Sequence, residues 1–284
     1  MSQQAIHIDL DLLLRTKTPR YYPYIPRALV RWLERTVHQE EMNDFLARNA
    51  ALRGIDFADA ALRELKVVVN VLGQENLPAP GQGRYIFVSN HPLGGLDGVA
   101  LISLLSHRYQ EGVKCAVNDM LMQVKPLEEF FLPVNKHGRQ DQAAVKAINQ
   151  AYAGPCQVLH FPAGICSRRQ KGGQVADLEW KKSFVTKSIE YQRDVVPLYF
   201  HGQNSDFFYK FARARKRLGI KLNIEMVYLP DEMFRCRGKT FTVVVGEPIA
   251  WTAFTPEKSH QQHAADVRAA VYELKRKFIC NQTT

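Results

Sequence analysis

The spacing of apolar positions changes once along the chain, near residue 66. Before that point the pattern is helical. Pro26 suits a first helical position, and Leu29, Leu33 and Val37 then recur at helical spacing. A second helical pattern runs over residues 39–52 and stops at Gly54. Asp56 opens a third, in which Phe57, Ala61 and Leu65 share a face. After residue 66 come short apolar runs rich in valine and aromatic residues, at 66–72, 84–89, 113–117, 131–135, 157–161, 195–200, 222–228 and 240–245. Helical stretches separate most of them, at 97–107, 141–152, 181–192, 205–218 and 257–278. Alternating strands and helices predict an α/β fold with a mixed, mostly parallel sheet flanked by helices. The expected organisation is an N-terminal helical segment, 1–75, followed by an α/β domain, 76–284.

Four of the predicted strands end in polar, glycine-bearing turns, at His91, His137, Gly164 and His201. In α/β sheets the binding crevice lies at the carboxyl ends of the strands, so these turns are expected to share it. The first is the most organised. The strand over 84–89 delivers Asn90 and His91. Pro92, Gly94 and Gly95 then force a tight turn, and Asp97 opens the next helix. A carboxylate across one turn from an imidazole can hold it as a general base. The same pair also reads as a helix cap beside a histidine satisfied in its turn. Backbone N–H groups of such a loop, near a helix start, suit an anion.

Charge narrows the partners. The 284 residues include 38 basic and 28 acidic ones, a formal net charge of +10. The first 75 residues carry as many acidic as basic side chains, so the excess lies further along. An anionic partner is favoured: phosphorylated ligands, an acidic membrane surface or nucleic acid. Nucleic acid ranks last, because no recognition motif is present. Residues 207–221 hold six basic side chains and no acidic one. On a helix, Phe207, Phe211, Ala214 and Leu218 share one face, with Lys210, Arg213 and Arg217 on another. The segment fits either an interfacial helix on an anionic bilayer, with Phe208 as a further contact, or a helix packed on the sheet with a solvated basic face.

Other chemistry is thinner. Gly164 allows close backbone approach in Phe161-Pro-Ala-Gly-Ile-Cys-Ser-Arg-Arg169. Ser167 and Arg168 offer donors there, and Arg168 suits a phosphate or carboxylate. Arg139, after His137, is a further anion contact or a solvated turn residue. Cys166 is a nucleophile or a small packing residue. The five cysteines, Cys115, Cys156, Cys166, Cys236 and Cys280, form no metal-ligand spacing and no disulfide framework, so no metal is expected and a reducing compartment is. No Gly-x-Ser-x-Gly elbow, P-loop or dinucleotide-binding pattern occurs. Residues 1–11 hold no signal-peptide apolar core, and no apolar run reaches the roughly 18 residues of a spanning helix. The expectation is a cytoplasmic protein, peripheral on the inner face of the membrane.

Taken together, these stretches resemble the glycerolipid acyltransferase superfamily, the lysophosphatidic-acid-acyltransferase-like enzymes. The resemblance rests on the order of its blocks between about residues 80 and 250. Asn90-His91 is followed by five residues and Asp97, one more than the family's usual gap. Gly138-Arg139 matches the second block loosely. Phe161-Pro-Ala-Gly-Ile-Cys-Ser matches the third, with Ala163 in place of its acidic residue. Val195-Val-Pro197 matches the fourth, and Gly246-Glu-Pro-Ile249 a late element. The His-Pro-x-Gly-Gly-x-Asp and Phe-Pro-Ala-Gly forms are similar to a divergent bacterial branch of hemolysin-type proteins and aminolipid O-acyltransferases. The resemblance implies transfer of a fatty acyl group from a thioester, on acyl carrier protein or coenzyme A, to the hydroxyl of a lyso-lipid. It implies His91 as base, Asp97 as its orienting partner, and no bound cofactor. Asn90, Gly94, Gly95, Gly164, Ser167, Arg168 and Arg139 would line the substrate site, with backbone N–H groups near Gly94, Gly95 or Gly164 facing the oxyanion. A thioesterase and a non-catalytic, hemolysin-like lipid-binding protein are the alternatives.

Overall fold

The computed structural model describes residues 7–117, 124–133 and 142–282, with side chains of the last helix followed to Arg276. Four helices lead: α1 (Leu10–Lys17), α2 (Arg27–Thr36), α3 (Gln39–Arg48) and α4 (Gly54–Glu64). Seven strands then build one sheet: β1 (Val68–Leu72), β2 (Tyr85–Ser89), β3 (Val113–Val117), β4 (Phe131–Pro133), β5 (Gln157–His160), β8 (Asp194–His201) and β9 (Thr240–Val245). A separate hairpin pairs β6 (Arg168–Arg169) with β7 (Val175–Ala176). The remaining helices are α5 (Leu96–Arg108), α6 (Gln142–Ala153), α7 (Ser183–Tyr191), α8 (Asp206–Arg217), α9 (Leu229–Phe234) and α10 (His260–Gln282).

The order across the sheet is β1-β9-β8-β2-β5-β3-β4. All neighbours are parallel except β8 and β9, so β1 and β9 run against the other five strands. The mixed, mostly parallel sheet expected from the sequence is therefore present. β2 lies in the middle, between β8 and β5. Central parallel strands are covered on both faces, which is why β2 reads as a continuous apolar run rather than an alternating one. Phe87 enters one core, with Leu101 and Leu105 of α5. Ile86 and Val88 enter the other, with Phe184 of α7 and Val267 and Val271 of α10. All three β2 side chains are fully buried, and each such burial stabilises by about 1.5–3 kcal/mol.

β1 (Val68–Leu72) pairs with β9 in the main sheet, and Phe57 and Ala58 of α4 enter the same core as α5. One expectation changes. Residues 222–228 are not a strand. Residues 224–228 form a 3-10 turn that leads into α9, because Glu225 is buried in ion pairs while Leu222 and Val227 stay exposed. That inverts the burial a strand in this sheet would need.

Candidate active site

β2 carries the chain to Asn90, whose amide bridges to the neighbouring strand. Its Nδ2 donates to the Phe200 carbonyl (2.9 Å), and its Oδ1 accepts from the Phe200 N–H (2.7 Å). Asn90 thus adds a rung between β2 and β8 beyond the ladder, and its side chain is directed to backbone rather than to a ligand. His91 follows. Its carbonyl accepts the Ser167 N–H (2.7 Å), and its own N–H donates to Asp177 Oδ1 (3.2 Å). The ring lies 4.3 Å, centroid to centroid, from Phe161.

The turn then reverses through Gly94, at φ +79, a left-handed conformation that suits glycine. A Cβ there would also lie 2.9 Å from the Cβ of Cys166. The reversal brings Asp97, in the first turn of α5, back under the loop. His91 Nδ1 sits 3.0 Å from Asp97 Oδ2. The same oxygen accepts the Leu93 N–H (2.9 Å), while Oδ1 accepts those of Gly95 (3.1 Å) and Gly98 (3.0 Å). The carboxylate is fully buried. Burial alone would push its pKa up, but the charge and hydrogen bond of His91 and the backbone donors outweigh it and hold the carboxyl below its ordinary value. Asp97 at once gathers the backbone N–H groups of the turn and partners His91. With Nδ1–H donated to it, the proton-accepting nitrogen is Nε2.

A second carboxylate, Asp177, was not read from the sequence. Its Oδ1 accepts the Ser167 hydroxyl (2.5 Å) as well as the His91 N–H, its Oδ2 accepts the Trp180 indole N–H (2.9 Å), and its own N–H donates to Tyr272 Oη (2.7 Å). It fastens the His91 loop to the third-block loop. Burial is the leading influence and raises its pKa, against the lowering effect of these donors. The signal was available: Gly172-Gly173, both at positive φ, turn the chain between β6 and β7, and that register returns Asp177 to Ser167.

The remaining expected site residues fall as follows. Ser167 is buried in the Asp177 contact. Arg168 does not face the crevice. Its Nη2 pairs with the fully buried Glu225 (2.8 Å), its Nη1 donates to the Cys166 carbonyl (2.9 Å), and its guanidinium covers the Phe208 ring. Arg215 Nε approaches the other Glu225 oxygen at 2.8 Å. Gly164, at φ +70, gives its N–H to the Phe161 carbonyl (3.0 Å). Gly95 gives its own to Asp97, which leaves Gly94 as the remaining expected oxyanion donor. Cys166 is fully buried and burial pushes its thiol up, so it is a packing residue rather than a nucleophile. Arg139 and His137 lie outside the described residues.

α8 starts at Ser205, whose hydroxyl accepts the Phe208 N–H. It packs through Phe208, Tyr209 and Ala212, not through the face expected to be apolar. Phe208 is therefore a core residue and cannot contact a membrane. Phe207 (49% exposed) and Leu218 (75% exposed) face outward, as do Lys210, Arg213 and Arg217, with Phe211 partly exposed beside them. Phe207 and Phe211 stack on each other and against Tyr228, which meets Trp32 of α2. Among the described residues no helix is long and apolar enough to cross a membrane.

Comparison with known proteins adds to this geometry. The model of the acyltransferase family matches residues 12–280. Two curated lyso-glycine lipid O-acyltransferases, from Bacteroides thetaiotaomicron and Phocaeicola vulgatus, are each 49% identical over 267 residues, covering 94% of this chain and 97% and 95% of theirs. A solved 1-acyl-sn-glycerophosphate acyltransferase from Thermotoga maritima aligns at TM-score 0.45 and 16% identity, over 86% of this chain and 95% of that one.

Proposed function

This chain belongs to the acyltransferase family, and on that premise we propose that it moves a fatty acyl group from a thioester, on acyl carrier protein or coenzyme A, to the hydroxyl of a lyso-glycine lipid. The observation that carries the mechanism is the His91–Asp97 pair, 3.0 Å apart at the carboxyl end of the central strand. His91 Nε2 takes the proton of the acceptor hydroxyl as its oxygen attacks the thioester carbonyl. Asp97 holds the tautomer and steadies the imidazolium. The Gly94 N–H faces the developing oxyanion. On collapse the carbon–sulfur bond breaks, and the imidazolium returns its proton to the leaving thiolate. The acceptor's oxygen attacks directly, so no covalent acyl-enzyme forms. Mixing the protein with an acyl thioester, with and without the lyso-lipid, tests this: diacylated product is expected only with the acceptor. Release of free fatty acid at the same rate without it would make the protein a thioesterase, and no donor turnover at all a binding protein.

We further propose that the protein works peripherally on an anionic bilayer, at the inner face of the cell membrane. Support comes from the outward aromatic and basic faces of α8 and the net positive charge. Each basic side chain near an anionic surface contributes about 1 kcal/mol. The triple reversal Lys210→Glu, Arg213→Glu and Arg217→Glu is therefore expected to weaken retention on phosphatidylglycerol vesicles by about 100-fold or more. Arg215 is left intact because Glu225 depends on it. Unchanged co-sedimentation of the triple variant would refute the surface.

A further inference from the structure

Arg168 is tied to Glu225 and Arg139 lies outside the described residues, so a candidate cation for an acidic head group lies elsewhere among the described residues. One stands on the β8 side of the His91 loop, where a cavity of about 310 Å³ opens. Its lining includes Asn90 and Pro92, which flank His91 in the chain, His201 and Gln203 at the end of β8, and Lys275 of α10. The lining holds one fixed positive charge, Lys275, and no carboxylate. Among the described residues Lys275 makes no ion pair, although its side chain is partly buried. Partial desolvation, followed by the charge of Lys275, lowers the pKa of His201, so at neutral pH this rim imidazole is a neutral hydrogen-bonding group. An unbalanced ammonium in a partly enclosed polar cavity attracts an anion more strongly than it would in open solvent.

We propose that this cavity binds the free carboxylate of an N-acylated amino-acid acceptor, with Lys275 as its counter-ion and Gln203 and His201 as neutral partners. The inference rests on the acyl-transfer reading above and adds to it the place of the head group. A glycine joined to its lipid through nitrogen keeps its carboxylate, whereas a phosphate-ester acceptor has none. Asn90 and Pro92 flank His91 in the chain, so a head group held against them lies one residue from the base.

The test uses the full-length protein, one acyl thioester and two acceptors: a hydroxyacyl-glycine and its methyl ester, which lacks the charge. Wild type is expected to prefer the acid by about 10- to 100-fold in kcat/KM, through KM, the range of a hydrogen bond to a charged group. Lys275→Gln should abolish that preference by raising KM for the acid alone, with kcat and the KM of the donor unchanged. Lys275→Arg, which keeps the charge, should retain most of it. If wild type transfers but shows no preference, or if Lys275→Gln keeps the preference, the subsite is wrong while the acyl-transfer reading stands. If wild type transfers to neither acceptor, both fall.

Discussion

His91→Ala is expected to lower kcat/KM for acyl transfer by about 10²–10⁴-fold, the usual cost of losing one general base. An alcohol is a poor nucleophile at neutral pH, and among the described residues the His91 loop holds no other group placed to take its proton: Asp97 is buried beneath the loop and Asp177 is engaged by Ser167, Trp180 and the His91 N–H. The fold should survive. The contacts that fasten residue 91 to Ser167 and Asp177 are made by its backbone, so alanine keeps them. Initial rates of product formation, read beside an unfolding curve, separate chemistry from stability. Full activity in a folded His91→Ala protein would remove His91 from the mechanism, and a large loss of stability would mean the ring's packing on Phe161 matters more than its basicity.

Much of this site was legible in the sequence because it is local. The strand, the glycine turn and Asp97 lie within thirteen residues, 85–97, and turn chemistry acts at that range. The extra residue between His91 and Asp97 is absorbed by the left-handed Gly94, which returns the carboxylate to within 3.0 Å of the ring. What was missed is non-local. Arg168 reads as an anion-binding side chain until Glu225, 57 residues later, is found buried against it. Glu225 in turn sits in an apolar-looking run that reads as a strand, and only the two arginines explain why a carboxylate there is buried. Asp177 required the register of a two-residue hairpin. α8 shows a different limit. Periodicity found an apolar face at Phe207, Phe211 and Leu218, yet the helix packs through Phe208, Tyr209 and Ala212, because aromatic residues occupy both faces and spacing alone cannot rank them.

Asp97→Asn is expected to be nearly as damaging as His91→Ala, although it changes a single atom. The carboxylate accepts four donors, His91 and Leu93 on Oδ2 and Gly95 and Gly98 on Oδ1. An amide can accept on one side only. If its NH₂ faces the ring, it donates to Nδ1 and forces the imidazole proton onto Nε2, where the base needs a lone pair. If its NH₂ faces Gly95 and Gly98, two partly buried N–H groups lose their acceptor, at up to about 1–3 kcal/mol each, and the turn loosens. In triad hydrolases the equivalent exchange lowers kcat by about 10⁴, through the wrong tautomer. A loss of about 10³–10⁴-fold is expected here. Acid stability supplies an independent readout. Because the folded carboxyl is held below its ordinary 3.8, it contributes stability that is present above that pH and is lost as pH falls through the lowered value. Asp97→Asn should therefore lower stability at neutral pH and flatten its fall on acidification. The double variant His91→Ala/Asp97→Asn should be about as slow as the worse single variant, because two residues that act as one unit are not additive. A merely few-fold loss in Asp97→Asn, or losses that multiply in the double variant, would mean that the carboxylate holds the turn before α5 without serving the base.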